Sequence, residues 1–167
     1  GLKIEYLNPL EVGADRIANA MGAVAQFPER ALLLVDLGTA TTFCAVSKDR
    51  RYLGGVIQVG MRLAMDALQN NTAKLSGVAI AKPDQVVGRS TKASLQAGVY
   101  YGQLAMIQAM VRQISDETFG GEKPCVIGTG GFARGFAEEG VFDVVLPDLV
   151  LHGLRVAYGM NHEEALV

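Results

Sequence analysis

The segment that most constrains the fold is an uninterrupted apolar run, ALLLV at residues 31–35, which ends at Asp36. A run of this length without alternating polar residues is typical of a strand that is buried on both faces of a sheet. Such a strand needs a layer of structure on each side, because both of its faces must be shielded from water. The run therefore predicts a domain of the α/β class.

The segments around this run predict a mixed sheet with flanking helices. Two further strands, at residues 43–47 and 52–57, follow with short connections, which is typical of a three-strand antiparallel meander. Ser90 is a plausible N-cap for a long helix that ends near Glu117. The other predicted helices cover residues 9–27, 61–68, 132–139 and 149–161, and the other predicted strands cover 125–128 and 141–146. We interpret residues 1–167 as a single domain.

Composition agrees with a folded domain and argues against several classes of partner. Hydrophobic residues make up 50% of the 167 positions and charged residues 19%, which is not the composition of a disordered chain. The net charge of -2 creates no field that would attract nucleic acid or an anionic membrane. Cys44 and Cys125 lack the spacing of a disulfide framework or a zinc site, which favours a reducing cytoplasm.

A turn rich in small residues follows the buried strand. Gly38 lets the chain bend and lets a ligand approach, and the turn offers several short donors that suit phosphate oxygens. The hydroxyl donors are Thr39, Thr41 and Thr42. Because Asp36 would repel a phosphate, a shared cation would be needed beside it. The alternative is a plain β-hairpin in which threonine is simply a good strand former.

Two other segments carry chemistry-bearing residues. IGTGG at residues 127–131 is a strand followed by glycines, which can present N–H groups to a nucleotide or can serve only close packing. EVGADRIANA at residues 11–20 places Asp15 and Arg16 among small apolar neighbours. There the carboxylate could act as a base and the guanidinium could bind an anion. The alternative is an ordinary surface salt bridge.

Taken together, these motifs resemble the type III pantothenate kinases. The resemblance extends from Tyr6 to Asn161, and the combination of GADR with DLGTATT at this spacing is specific. The matching segments, in order, are YLNPLEVGADRI, VDLGTATTF, YLGGVIQVG, RSTKASLQAG, IGTGGFA and LVLHGLRVAYGMN.

The resemblance implies a ribonuclease-H-like domain of the actin-like ATPase type. Members of the family have two such domains with nucleotide bound between them, and this chain resembles the C-terminal one. The N-terminal domain is then expected to lie outside this chain, in the same natural protein or in a separate one. Residues 1 to about 8 are then expected to be its end or a link, and the isolated half is expected to be inactive.

The resemblance also implies an activity and its cofactors. The family transfers the γ-phosphoryl group of ATP to pantothenate, giving 4'-phosphopantothenate, in the first step of coenzyme A biosynthesis. Members are homodimers that need Mg²⁺ and a monovalent cation, K⁺ or NH₄⁺. The alternative for this chain is a non-catalytic, nucleotide-binding or regulatory relative.

Substrate-side roles carry over to five positions of this sequence. Asp15 of GADR would be the general base that takes the proton from the attacking hydroxyl. Tyr6, Gly13 and Arg16 would bind pantothenate, with Arg16 facing its carboxylate. Thr91 of RSTKAS would reach pantothenate across the dimer interface.

Nucleotide-side roles carry over to the two glycine-containing turns, and Asp36 would lie near the cations. The residues expected to contact the nucleotide are Gly38, Thr39, Thr41, Thr42, Gly130 and Gly131. The long helix would supply much of the dimer interface, which would explain why Gly98 and Gly102 lie four residues apart on one helix face.

Three positions depart from the family pattern. Cys44 stands where the family has an aspartate, which removes a negative charge near the phosphate turn and puts the cation site in question. Val59 replaces a proline, and residues 75–76 read Leu-Ser where the family has Leu-Pro. The cysteine is the departure that supports the non-catalytic alternative.

Overall fold

A six-stranded mixed sheet organises the chain in the computed structural model, which describes residues 1–70 and 78–162. The strands are β1 (Lys3–Ile4), β2 (Leu32–Leu37), β3 (Ala40–Val46), β4 (Arg51–Val59), β5 (Cys125–Thr129) and β6 (Val144–Val145). The α-helices are α1 (Ala14–Gln26), α2 (Met61–Asn70), α3 (Thr91–Thr118) and α4 (Leu149–His162). Two 3₁₀ helices cover Pro9–Glu11 and Ala133–Glu139.

The sheet combines antiparallel and parallel pairing. Its strand order is β1-β4-β3-β2-β5-β6. The β2-β3 and β3-β4 pairs are antiparallel, so the predicted meander is confirmed. The β2-β5, β5-β6 and β1-β4 pairs are parallel. The mixed α/β class predicted for the chain is therefore also confirmed.

Strand β2 is buried on both faces, as the apolar run predicts. Leu32 and Leu34 belong to a core that includes residues of α1 and α4. Leu33 and Val35 belong to a second core, on the opposite face, that includes residues of α3. Full burial of a side chain of this size contributes roughly 1.5–3 kcal/mol. The double burial holds β2 in the centre of the domain and fixes the position of Asp36 at its end.

Helices α1 and α4 pack closely because glycine lies where they meet. A Cβ atom on Gly153 would lie 1.7 Å from the carbonyl oxygen of Ala18, and one on Gly22 would lie 2.7 Å from that of Leu149. No larger residue fits at Gly153 without separating the helices. This contact fixes the position of α1, whose first turns carry the GADR residues.

Helix α3 begins where the sequence predicts and is tied to the meander. The Ser90 hydroxyl oxygen accepts a hydrogen bond from the backbone N–H of Ala93 at 3.1 Å, so the predicted N-cap is confirmed. Further along the helix, the side-chain amide of Gln103 donates to the hydroxyl of Thr41 at 2.9 Å. This buried bond holds α3 against β3.

The helix predicted for residues 9–27 is interrupted. A 3₁₀ helix at Pro9–Glu11 is followed by extended backbone at Val12, and α1 begins only at Ala14. The side chain of Asn8 accepts a hydrogen bond from the N–H of Leu10 at 3.3 Å and so caps a separate first turn. Proline is favoured in the first turn of any helix, so Pro9 does not show whether the helix continues beyond that turn. The sequence therefore did not reveal the break.

The observed boundaries of the shorter helices and strands also differ from the predicted ones. The helix predicted for residues 132–139 is a 3₁₀ helix, and the strand predicted for 141–146 is reduced to β6. Just before β6, the Asp143 carboxylate accepts from the N–H of Val126 at 2.8 Å and takes the place of a strand partner. Strand β1 was not predicted: residues expected to be a link pair in parallel with Arg51 and Tyr52.

Candidate active site

Asp36, at the carboxyl end of β2, is the point where the three predicted motifs meet. Its Oδ2 accepts a hydrogen bond from the side-chain amide of Asn19 in α1 at 2.9 Å. Its Oδ1 faces two glycines: Cβ atoms placed on Gly38 and Gly130 would lie 3.5 Å and 2.3 Å from it. One half-buried carboxylate therefore contacts the GADR helix and lies against both glycine-containing turns.

The two turns lie side by side because β2 and β5 are parallel neighbours. Asp36 pairs in register with Thr129, and the N–H of Phe132 donates to the carbonyl of Leu37 at 3.1 Å. Gly130 has a φ of +86°, a left-handed conformation that favours glycine. A side chain there would also approach the backbone of Leu37 to 2.8 Å. The second turn thus depends on glycine for its backbone conformation and for space.

Replacing Gly130 with Ala is expected to lower the melting temperature by several degrees and to weaken nucleotide binding. The added methyl group would collide with Asp36 while the backbone is held in a strained conformation, which together cost roughly 1–3 kcal/mol. Thermal unfolding and nucleotide titration measure the two effects. Gly135→Ala is the matched control, because Gly135 is exposed and its Cβ position has open space beside it. Equal melting temperatures for the two variants would contradict the assignment.

Asp15 and Asp36 lie on the same side of the molecule and interact electrostatically. Burial raises the pKa of Asp36 above its ordinary value, and the negative charge of Asp15 raises it further, against the opposing effect of the Asn19 hydrogen bond. Asp15 is exposed, and its Oδ1 accepts from the backbone N–H of Arg16 at 2.8 Å. Asn19 follows one helical turn later on the same face as Asp15. Asp15 and Asp36 thus line one side of a common site.

Arg16 is almost fully buried beside Tyr6. Its side chain is 8% exposed, and the guanidinium carbon lies 5.9 Å from the centre of the Tyr6 ring. Cys44 and Tyr52 lie near enough to interact electrostatically with it. Among the described residues, Arg16 Nη1 has no hydrogen-bond partner. Tyr6 and Arg16, which are both predicted to bind the substrate, are therefore brought together, next to the position where the sequence departs from the family.

The threonines of the first turn divide between the two faces of the sheet. Thr42 pairs with Asp36 in register and lies on the same face. Thr39 is exposed at the turn itself. Thr41 points to the opposite face, where it is fully buried and accepts the hydrogen bond from Gln103. The Thr41 hydroxyl is thus turned away from Asp36, because side chains alternate along a strand and this one faces α3. Its phosphate contact stays a prediction.

Thr91 lies apart from the Asp36 cluster, on the α3 side of the sheet. It lines a groove of about 480 Å³ between the end of β4, α2 and α3, together with Gly98 and Gly102. A Cβ atom on either glycine would have no atom of the described chain within 4 Å. Within one chain, Thr91 is therefore not brought together with Arg16 and Tyr6.

The three family departures have different surroundings. Cys44 is buried, and its sulfur accepts a hydrogen bond from the Tyr52 hydroxyl at 3.2 Å. Val59 is half exposed and lines the groove. Residues 75–76 lie outside the described residues. Within residues 1–70 and 78–162, no three His, Cys, Asp or Glu side chains form a group that could hold a metal ion.

Two residues of the site, Asn19 and Tyr52, were not singled out from the sequence, and neither was Gln103, which holds Thr41 on the opposite face of the sheet. Asn19 could have been found, because it follows Asp15 by four positions and so shares its helix face. Its Oδ1 is buried without a hydrogen-bond partner among the described residues. Tyr52 and Gln103 carry no such signal, because their partners Cys44 and Thr41 lie on other elements.

The sheet order and the glycine turns around one carboxylate define a domain of the actin-like ATPase fold. Two solved structures share it: a Campylobacter jejuni protein described as a Baf family transcriptional activator and a Sinorhizobium meliloti protein described as a 2-dehydro-3-deoxygalactonokinase. The first has a TM-score of 0.67 at 21% identity and covers 98% of this chain and 70% of its own. The second has a TM-score of 0.55 at 16% identity and covers 86% and 57%. At these identities the likeness shows the fold alone.

The chain belongs to the type III pantothenate kinase family, whose family model matches residues 1–113. A type III pantothenate kinase of Legionella pneumophila (strain Corby) is 53% identical over 161 residues. One from Elusimicrobium minutum is 44% identical over the same length. The matches cover 96% of this chain but 63% and 62% of the relatives, so the chain spans less than two thirds of their length. No helix in the described part of the chain has the length and apolar character needed to cross a membrane.

Proposed function

We propose that the complete natural protein containing this chain transfers the γ-phosphoryl group of ATP to pantothenate, forming 4'-phosphopantothenate for coenzyme A biosynthesis. The observation that carries the proposal is the convergence at Asp36 of the GADR helix and the two glycine turns, in a chain that belongs to this family. Phosphoryl transfer asks a protein mainly to position its substrates and to neutralise charge. The cluster offers groups for both tasks.

The Asp36 end of the cluster is the proposed site for the ATP phosphates. Gly38 and Gly130 lie beside it, Gly131 follows as an exposed residue of the second turn, and Thr42 adds a hydroxyl on the same face as Asp36. Protein-bound Mg²⁺ often uses only one or two carboxylates and completes its shell with water and phosphate oxygens. A single carboxylate between two open turns fits that donor set, so Asp36 would hold Mg²⁺, which would neutralise phosphate charge when bound. Asp36 would also lie near the proposed monovalent cation, K⁺ or NH₄⁺.

The Asp15 end of the cluster is the proposed site for pantothenate. The exposed Asp15 carboxylate is the group that would take the proton from the attacking hydroxyl. Arg16, stacked near Tyr6, would face the pantothenate carboxylate. Gly13 lies against Asp15: a Cβ there would be 2.6 Å from its Oδ1, so a larger residue would displace the base. In this arrangement the two ends together would bring the alcohol beside the phosphate.

A kinase assay on the complete natural protein tests the proposal. Pantothenate and ATP are incubated with Mg²⁺, with and without K⁺, and 4'-phosphopantothenate is detected by mass spectrometry. Product that depends on both substrates supports the function. Nucleotide binding without product would favour the non-catalytic alternative that Cys44 raises, unless a separately expressed N-terminal domain restores turnover.

Both cysteines are buried free thiols, which supports the proposed cytoplasmic location.

We also propose that the protein is a homodimer whose interface includes the α3 face around Gly98 and Gly102. The groove there is largely apolar, and both glycines are exposed within one chain. Small residues at such positions let a second backbone approach closely. In this arrangement Thr91 would reach the pantothenate site of the partner subunit.

Replacing Gly102 with Arg is expected to convert the dimer to a monomer without unfolding it. A Cβ atom at this position has open space beside it, so the arginine is expected to block the approach of a partner and to leave the fold of its own chain intact. Light scattering coupled to size-exclusion chromatography measures the mass. Gly159→Arg is the matched control, because Gly159 is also an exposed helical glycine with an open Cβ position. A Gly102→Arg protein that remains dimeric would place the interface elsewhere.

A further inference from the structure

Asn19 carries a buried side-chain amide of which only one half has a partner. The residue is 3% exposed, and its Nδ2 donates to Oδ2 of Asp36 at 2.9 Å. Its Oδ1 has no hydrogen-bond partner among the described residues. The reverse orientation of the amide would bring two acceptor oxygens into contact, so the hydrogen bond fixes which end faces Asp36. Because a buried acceptor without a partner costs free energy, an apolar residue would suit this position better if packing were its only role.

The backbone of Asn19 is held in place independently of that hydrogen bond. Its neighbour Ala18 lies where α1 crosses α4, with its carbonyl oxygen against Gly153. Gly22, three residues further along α1, lies against the carbonyl oxygen of Leu149 in the same crossing. Closely packed helices of this kind have little freedom to shift. The amide of Asn19 is therefore a donor at a fixed position, which can set the direction of the group that accepts from it.

The two oxygens of the Asp36 carboxylate have different surroundings. Oδ2 accepts from Asn19, and within residues 1–70 and 78–162 no other side chain donates to this carboxylate. Oδ1 lies against the positions of Gly38 and Gly130. Because Oδ2 is occupied by the amide, the oxygen that remains free is the one that faces the two glycine turns.

We propose that Asn19 is a positioning residue, which occupies Oδ2 of Asp36 and so directs Oδ1 towards the glycine turns. The proposal rests on the proposed function, because it takes Asp36 as the group that would hold Mg²⁺ beside the ATP phosphates. Carboxylates that bind metal ions are as a rule hydrogen-bonded themselves, and loss of such a partner typically lowers metal affinity or activity about 10–100-fold. Asn19 would act in this way through Asp36 and not by contact with a substrate.

The experiment measures how much Mg²⁺ improves nucleotide binding by the complete natural protein. Calorimetric titration with the imido analogue of ATP, which is not hydrolysed, gives Kd with Mg²⁺ and with EDTA, and the ratio of the two values is the Mg²⁺ effect. The variants are Asn19→Leu, which keeps a branched side chain, and Asn19→Ala, which removes it. Tyr100→Phe is the matched control, because it also removes a donor from a buried residue to a carboxylate, that of Glu139 at 2.7 Å. Melting temperatures and steady-state kinetics are measured on the same samples.

Both Asn19 variants are expected to raise the Kd measured with Mg²⁺ about tenfold or more and to leave the Kd measured with EDTA nearly unchanged. In the kinetic assay kcat is expected to fall while the KM for pantothenate is retained. Tyr100→Phe is expected to lower the melting temperature and to keep the Mg²⁺ effect of the wild type. An unchanged Mg²⁺ effect in the Asn19 variants, or an equal loss in Tyr100→Phe, would overturn the proposal. So would the failure of both Asn19 variants to fold, because Asn19 would then be a structural residue.

The outcomes also separate this inference from the proposed function. Wild-type protein that shows the Mg²⁺ effect, loses it in the Asn19 variants and forms no 4'-phosphopantothenate would refute the kinase activity and leave the role of Asn19 standing. Phosphorylation of pantothenate with an undiminished Mg²⁺ effect in the variants would overturn the role of Asn19 alone. Wild-type protein with neither a Mg²⁺ effect nor product would overturn both.

Discussion

Replacing Asp15 with Asn in the complete natural protein is expected to lower kcat about 10²–10⁴-fold and to leave ATP affinity nearly unchanged. The amide keeps the size of the carboxylate, and its oxygen can still accept the hydrogen bond from the Arg16 backbone. It cannot take a proton from the attacking hydroxyl. Since Asp15 is exposed, the substitution leaves the core of the domain intact. Steady-state kinetics and a separate nucleotide titration measure the two quantities.

The control for this substitution is Asp116→Asn, which changes an exposed aspartate near the end of α3. It is expected to behave as the wild type in both measurements. Turnover by Asp15→Asn within a few-fold of the wild type would show that Asp15 is not the general base. A parallel loss of ATP affinity would instead indicate that Asp15 acts mainly through the phosphate end of the site, where Asp36 lies.

Replacing Asp36 with Asn is expected to lower kcat on the order of 10²-fold or more and, at neutral pH, to raise the melting temperature. The loss of turnover follows from the loss of the proposed Mg²⁺ ligand. The gain in stability follows from the raised pKa of Asp36, caused first by burial and then by the charge of Asp15. An ionised group held in an unfavourable environment destabilises the folded state, and the neutral amide removes that cost while keeping an acceptor for Asn19.

The stability gain should depend on pH in a defined direction. Between the ordinary pKa of aspartate, about 3.9, and the raised pKa in the folded protein, the folded state binds more protons than the unfolded state, so wild-type stability falls as pH rises. The difference between Asp36→Asn and the wild type is therefore largest at neutral pH and shrinks as pH falls towards 4. Melting curves across this range, with Asp116→Asn as the reference, measure it. A lower melting temperature for Asp36→Asn at pH 7 would contradict the assignment.

The sequence was enough to predict those helices and strands whose formation depends on residues close together in the chain. The apolar run at residues 31–35 predicted a doubly buried strand, and β2 is one. Ser90 predicted the start of α3, because an N-cap acts within a single turn. Short elements were harder to predict from the sequence, because the two residues of β1 form a strand only where β4 lies beside them. A two-residue segment carries no periodicity of its own to detect.

The candidate site also combines features that the sequence predicts with features that only the tertiary structure reveals. Residue types in GADR, DLGTATT and IGTGG were sufficient to nominate Asp15, Asp36 and Gly130 as candidates. Which threonine faces the carboxylate was not evident, because the assignment of Thr41 and Thr42 to opposite faces follows from strand register and from the Gln103 partner on a distant helix. The arrangement of Arg16 beside Cys44 likewise joins α1 to β3.

The sequence by itself determined the class of the domain, its central meander and the chemistry-bearing segments, since these depend on neighbours along the chain. The tertiary structure alone decided that Asp36 contacts Asn19, that Thr41 is turned away, and that Arg16 is buried without an anionic partner. The physical reason is that burial, pKa and hydrogen-bond partners are set by packing between segments that are far apart in the sequence.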